Sequence, residues 1–176
     1  MTGDAPGSGP PARPDADEAV DALYREHAGN LVRLAIVIIR DREMAEDVVQ
    51  EAFCSLFRHW GGLSGPDKAP AYVRASVLNG CRAALRYRGR RTLIRVEEPT
   101  AASAEADALI GEEHRALLAG LRALPPRQRE VLALRYFCGL NVAEIAEAMV
   151  ISQGCVKSTA SRAIRALGHK LGADSE

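Results

Sequence analysis

Aromatic residues are scarce in this chain, with three Phe, four Tyr and one Trp among 176 residues. Ala, Leu, Arg and Glu abound instead, a composition that favours helices over sheets. The expectation is an all-α fold, and the length allows either one domain or two small ones. Cysteine is also sparse: Cys54, Cys81, Cys138 and Cys155 lie far apart, with no CxxC pair and no His at ligand spacing. That argues against a zinc module and favours buried free thiols. No signal peptide is expected, since the opening residues carry no apolar run, and the longest strongly apolar run, Leu34 to Ile39, is far too short to span a bilayer. A reducing cytoplasm is therefore the expected location, with no membrane association.

Net charge is missing as well, since 23 Lys and Arg balance 23 Asp and Glu. A neutral total argues against a nucleic-acid partner until its distribution is considered. Between Ala71 and Val96 stand Arg74, Arg82, Arg86, Arg88, Arg90, Arg91 and Arg95, with no acidic residue among them. Acid collects in Asp15 to Asp21, Asp41 to Glu51 and Glu97 to Glu113. Segregation of this kind implies faces that meet different partners.

Residues 1–16 are mostly Gly, Pro, Ala, Ser and Asp and read as a disordered tail. A first helical module spans 17–91. Val20, Leu23, Tyr24, His27, Leu31 and Leu34 mark its first helix, a second runs from the acidic cap at Asp41 to Trp60, and a third from about Pro70 to Arg88. Residues 92–107 are rich in Pro, Thr, Ala, Ser and Glu without apolar periodicity, as in a flexible linker. A second module follows over 108–172, in which Pro125-Pro126 and Gly139 punctuate the helices.

Within that module Asn141 can cap a short helix with Glu144 reaching back, and Val142, Ile145, Ala146 and Met149 share its apolar face. Ser152 then caps a longer helix whose Val156, Ala160, Ala163, Leu167 and Leu171 fall on one side at about 100° per residue. The pair is a helix-turn-helix. Gln153, Lys157, Ser158, Ser161, Arg162 and Arg165 lie opposite, and no carboxylate occurs from Gln153 to Leu171. Such a face suits phosphates and base edges in the major groove.

In the first module, the helix after Pro70 places Tyr72, Asn79, Arg82 and Arg86 opposite Val73, Val77, Cys81 and Ala84. Arginines with an aromatic and an amide can track phosphates and stack on an unpaired base, or they can be solvated or paired with the acidic linker. The helix from Asp41 carries a stripe of Glu43, Asp47, Gln50 and Glu51, bordered by Phe53 and Trp60. The stripe suits a basic protein partner, with the two aromatics as anchors or, equally, as core. No catalytic constellation is evident: the four His are scattered, and the acidic stripe is a surface pattern, so neither an enzyme nor a cofactor site is expected. A repressor or activator using the same hairpin is the rival reading, and the acidic helix argues against it.

The run DREMAEDVVQEAF from Asp41, followed by LPPRQREVLALRY from Leu124, resembles the extracytoplasmic-function group of bacterial RNA polymerase sigma factors. The likeness continues from Gly139 to Leu167. It implies a factor that binds core RNA polymerase and directs promoter-specific initiation, acting in the cytoplasm at the nucleoid. The first module then corresponds to region 2, with Glu43, Asp47, Gln50, Glu51 and Phe53 on the clamp coiled coil, and with Tyr72, Asn79, Arg82 and Arg86 at the −10 element, capturing a base as the duplex opens. The second corresponds to region 4, in which Gln153, Lys157, Ser158, Ser161, Arg162 and Arg165 read the −35 element while neighbouring surface holds the flap. Family habit adds a separate anti-sigma protein. The turn departs from the family pattern, with Val150 where Gly is usual, Asn141 where Ser or Thr is common, and Cys155 where Thr often precedes Val-Lys. A β-branched residue carries strain if that position is left-handed.

Overall fold

The computed structural model describes residues 14–92 and 112–173, and every regular element among them is helical. Most of the expected tail and linker therefore lies outside the described residues. Helix α1 (Pro14–Ile39) starts ahead of the expected Asp17. Pro fits the first turn of a helix, where its missing N–H would have had no partner. Leu31, Leu34, Ile38 and Ile39 along α1 are buried. At Arg40 the chain turns with φ 64°, its N–H donating to the Ile36 carbonyl at 2.8 Å. Asp41 then caps α2 (Arg42–His59) by accepting from the Met44 N–H at 3.0 Å.

Helix α2 turns Ala45, Val49, Ala52, Phe53 and Leu56 into the core. Phe53 is buried and meets Tyr24 of α1 edge-to-face, with ring centroids 5.0 Å apart at 69°. This corrects the expected polymerase-binding role of Phe53: four residues after Val49, it sits in the inward phase of the helix. Cys54, one step further round, is exposed, so the expectation of buried thiols holds fully only for Cys81. Two short 3₁₀ turns, Trp60–Gly62 and Pro66–Lys68, lead into α3 (Ala69–Thr92).

Val73, Val77, Leu78 and Cys81 line the inner side of α3. Gly80 lets α3 approach α2 closely, since a Cβ there would come within 2.7 Å of Val48 Cγ1. Arg88, in the basic stretch, braces the α1–α2 corner by donating to the Ile39 carbonyl at 2.9 Å and to Asp41 Oδ2 at 3.1 Å.

The second module comprises α4 (Glu112–Arg122), α5 (Pro126–Phe137), α6 (Val142–Met149) and α7 (Gln153–Ala173). The expected start of α4 near Ala108 lies outside the described residues. Pro126 opens α5, and Gly139, at φ 66°, turns the chain towards α6. The buried Arg129 organises the α4–α5 corner. Its guanidinium donates to the carbonyls of Leu121 (3.2 Å), Arg122 (2.8 Å) and Leu124 (2.9 Å), and also to that of Ile38 in α1 (3.2 Å). Burial lowers its pKa, and the nearby Arg40 charge adds to this.

The modules share a core. Helix α5 packs on α1 and α6 on α3, so Val131, Leu134, Leu140, Ile145 and Val156 join one apolar cluster with Leu31, Ile38, Leu56 and Val77. A smaller cluster of Leu121, Leu124, Leu132 and Ala163 fixes α7 against α4 and α5.

Candidate nucleic-acid and partner interfaces

The helix-turn-helix is built as its caps dictate. Asn141 Oδ1 accepts from the N–H groups of Ala143 (2.8 Å) and Glu144 (3.0 Å), while Glu144 Oε2 accepts from the Asn141 N–H at 2.8 Å. This closed capping box shows that Asn serves here as well as Ser or Thr would. Helix α6 ends in a Schellman motif: the Ile151 N–H donates to the Ala146 carbonyl at 3.0 Å, and the Val150 N–H to that of Glu147 at 3.2 Å.

Val150 itself is left-handed, with φ 55° and ψ 52°, and is 88% exposed. The left-handed region costs an L-residue about 1–2 kcal/mol, and this side chain recovers little by packing. Val150→Gly is therefore expected to raise stability by about 1 kcal/mol, or about 2–4 °C in melting midpoint. A thermal melt reading no gain would show that the turn is unstrained.

Ser152 Oγ accepts from the Cys155 N–H at 3.2 Å and so caps α7. Cys155 Sγ lies 3.9 Å from Thr159 Oγ1, a buried hydroxyl that the apolar pattern did not reveal. With Val156 and Ala163 turned inward, Gln153, Lys157, Ser158, Ser161, Arg162 and Arg165 are all exposed along one helix. Ser158 Oγ donates to the Cys155 carbonyl at 3.1 Å, and Arg162 Nε to the Ser158 carbonyl at 3.3 Å. Beside this face runs an open groove floored by Val131, Val142, Ile145 and Val156, with Arg135 joining Lys157 and Arg165 on its rim. Arg135 and the half-exposed Ile164 were missed in the sequence, because Arg135 reaches the groove from α5 and Ile164 follows the buried Ala163.

The acidic stripe of α2 is also open, with Glu43, Asp47, Gln50 and Glu51 all exposed. Glu51 pairs with Arg58 and raises the pKa of that guanidinium through a hydrogen bond; Arg42 pairs with Glu46 at 2.8 Å. Phe57 is an exposed aromatic of α2, at 43%. Its position seven residues after Gln50 and three after Cys54 places it on the stripe, a phase legible in the sequence but overlooked there.

The four α3 residues separate into two pairs. Asn79 and Arg86 are exposed. Tyr72 is half-buried, its hydroxyl 3.0 Å from that of Ser55 and its ring 6.1 Å from His59. Arg82 is half-buried and reaches across to α5, donating Nη2 to Glu130 Oε2 at 2.7 Å and Nε to Oε1 at 3.2 Å. This hydrogen-bonded pair raises the arginine pKa. Among the described residues, no group of His, Cys, Asp and Glu could hold a metal ion, and no helix is long and apolar enough to cross a membrane.

Comparison with known proteins gives these surfaces their context. Residues 23–91 match the family model "Sigma-70 region 2", and residues 114–167 match "Sigma-70, region 4". The RNA polymerase sigma-E factor of Streptomyces avermitilis is 32% identical over 154 residues, 86% of this chain and 84% of that protein. The ECF RNA polymerase sigma factor SigM of Mycobacterium tuberculosis is 29% identical over 88% of this chain and 78% of its own length. Among solved structures, CnrH in complex with the cytosolic domain of CnrY superposes with a TM-score of 0.68 at 23% identity, covering 92% of this chain and 97% of that one. Sigma factor RpoE of Bartonella quintana, in complex with the anti-sigma factor NepR, gives 0.68 at 21% identity, covering 88% and 99%. The likeness thus runs through both modules, in sequence and in fold, and places this chain in the extracytoplasmic-function group of sigma-70 type factors, which direct promoter-specific initiation by RNA polymerase.

Proposed function

We propose that this sigma factor divides its tasks among three faces. Helix α7 reads the −35 element through Gln153, Lys157, Ser158, Ser161, Arg162 and Arg165. Helix α3, with Tyr72, Asn79, Arg82 and Arg86, engages the −10 element and assists its opening. The α2 stripe of Glu43, Asp47, Gln50 and Glu51 docks on the polymerase clamp, with Phe57 as the aromatic anchor in place of Phe53. Neighbouring surface of the second module, away from these six residues, receives the flap. The factor acts at the nucleoid without catalysis or cofactor of its own, and a separate anti-sigma protein restrains it, as the solved relatives' complexes suggest.

The observation that carries this reading is α7 itself: a capped helix with six exposed polar or basic residues on one face, no carboxylate along it, and Val156 and Ala163 anchoring the other side in the core. Cations on one helix face neutralise phosphates while their neighbours meet base edges.

The first test is co-migration of the purified protein with core RNA polymerase, followed by run-off transcription from genomic promoter fragments. A stable complex starting transcripts at defined sites is expected; tight binding to duplex DNA without polymerase would favour an ordinary regulator. Arg162→Ala with Arg165→Ala is expected to weaken upstream promoter contact about tenfold or more, since a good base or phosphate contact contributes about 1–3 kcal/mol. Footprinting of the holoenzyme upstream of the start site reads this directly. Unchanged upstream protection would remove α7 from −35 reading.

A further inference from the structure

We infer that the free factor holds its two modules closed through Arg82 and Glu130, so that module closure and the −10 element compete for the same guanidinium. The competition rests on the −10 role proposed above for Arg82; the closure does not. Glu130 lies on α5, and its side chain is only 5% exposed. Among the described residues its sole ion-pair and hydrogen-bond partner is Arg82, on α3 of the other module. A buried carboxylate left without a partner is strongly unfavourable. Arg82 therefore cannot leave for a phosphate unless Glu130 also reaches water, and Glu130 reaches water only if α5 draws away.

Other polar contacts among the described residues cross the same boundary. Arg129 donates to the Ile38 carbonyl, and Arg40 to that of Arg122. Each joins a side chain to a backbone carbonyl, so neither takes up a group proposed to bind DNA. The Arg82–Glu130 pair, by contrast, links closure to the −10 face.

The native thiols report on closure. Cys138, in the second module, lines a small cavity with His27, Phe53 and Arg74 of the first, and burial pushes its pKa up to about 11. Cys54 is exposed on α2 and serves as the internal standard. Cys81 is fully buried on α3, its pKa pushed up to about 12 by burial and then by Glu130, and marks loss of the fold.

The test is time-resolved alkylation of the full-length protein with iodoacetamide, each cysteine quantified by mass spectrometry. In the unaltered protein, Cys138 is expected to react about tenfold or more slowly than Cys54, because only the accessible thiolate is alkylated. Arg82→Glu, which sets two carboxylates against each other, is expected to speed Cys138 at least about fivefold. Combining it with Glu130→Arg should restore protection. Equal rates at Cys54 and Cys138 in the unaltered protein would overturn the closed state. An unchanged Cys138 rate in Arg82→Glu, or a failure of the swap to restore protection, would overturn the role of the pair. If Arg82→Glu also exposes Cys81 and loses helical circular dichroism, Glu130→Gln decides instead, with faster Cys138 labelling expected and an unchanged rate counting against the pair.

The swapped protein also separates the two readings. With closure restored but no arginine at position 82, it should bind a fluorescent mixed-sequence single strand more weakly in complex with polymerase. Normal single-strand binding there would remove Arg82 from the −10 element and leave the latch standing.

Discussion

Replacing Arg129 by Ala is expected to destabilise the protein by about 3 kcal/mol, several times the effect of an ordinary surface substitution. The guanidinium satisfies three carbonyls at the end of α4 and one at the end of α1. Ala would leave those acceptors facing a cavity. A fall in melting midpoint of about 6–12 °C follows for a chain of this size. Arg129→Lys should recover only part of the loss, because a single ammonium cannot fork across four acceptors. A thermal melt showing Arg129→Ala within about 2 °C of the parent, a window set by the same scaling, would mean that water replaces the guanidinium at no cost.

The second large effect concerns assembly rather than stability. Asp47→Lys with Glu51→Lys is expected to weaken binding to core RNA polymerase about 30-fold or more, or about 2 kcal/mol. Both side chains are exposed, so the melting midpoint should hardly move. Lys at position 51 would also repel Arg58, the present partner of Glu51, leaving a more positive stripe. Because like-charge contacts are screened, part of the lost affinity should return in high salt. Unchanged affinity for polymerase would remove the stripe from the interface, whereas a large drop in melting midpoint would give these carboxylates a structural role instead.

Much of the local structure was legible from spacing. The capping residues Asp41, Asn141 and Ser152 all accept the N–H bonds their positions imply, because a cap depends on a few neighbouring backbone groups and on nothing distant. Val150 stood out only through the resemblance, as the residue where the family's turn usually has Gly, and it does adopt the left-handed conformation in which a β-branched side chain is strained. The faces of α2 and α7 followed from helical phase.

Phase was less informative where two residues bordered a face. Phe53 and Phe57 are one turn apart, and the amount of surface that α1 covers decides which ring is buried; Tyr24 closes over Phe53 and leaves Phe57 open. Cys54 followed the same boundary outward.

The sequence by itself determined the helical class, the helix-turn-helix, the carboxylate-free face of α7 and the membership of a sigma-factor family, since each rests on periodicity, capping or motif within short stretches of chain. Only the tertiary structure decided that Arg82 pairs with Glu130, 48 residues away, and that Arg129 bonds the Ile38 carbonyl at a separation of 91. Helical spacing relates residues a turn or two apart, and the partner of a charge across two modules depends on how their apolar faces merge.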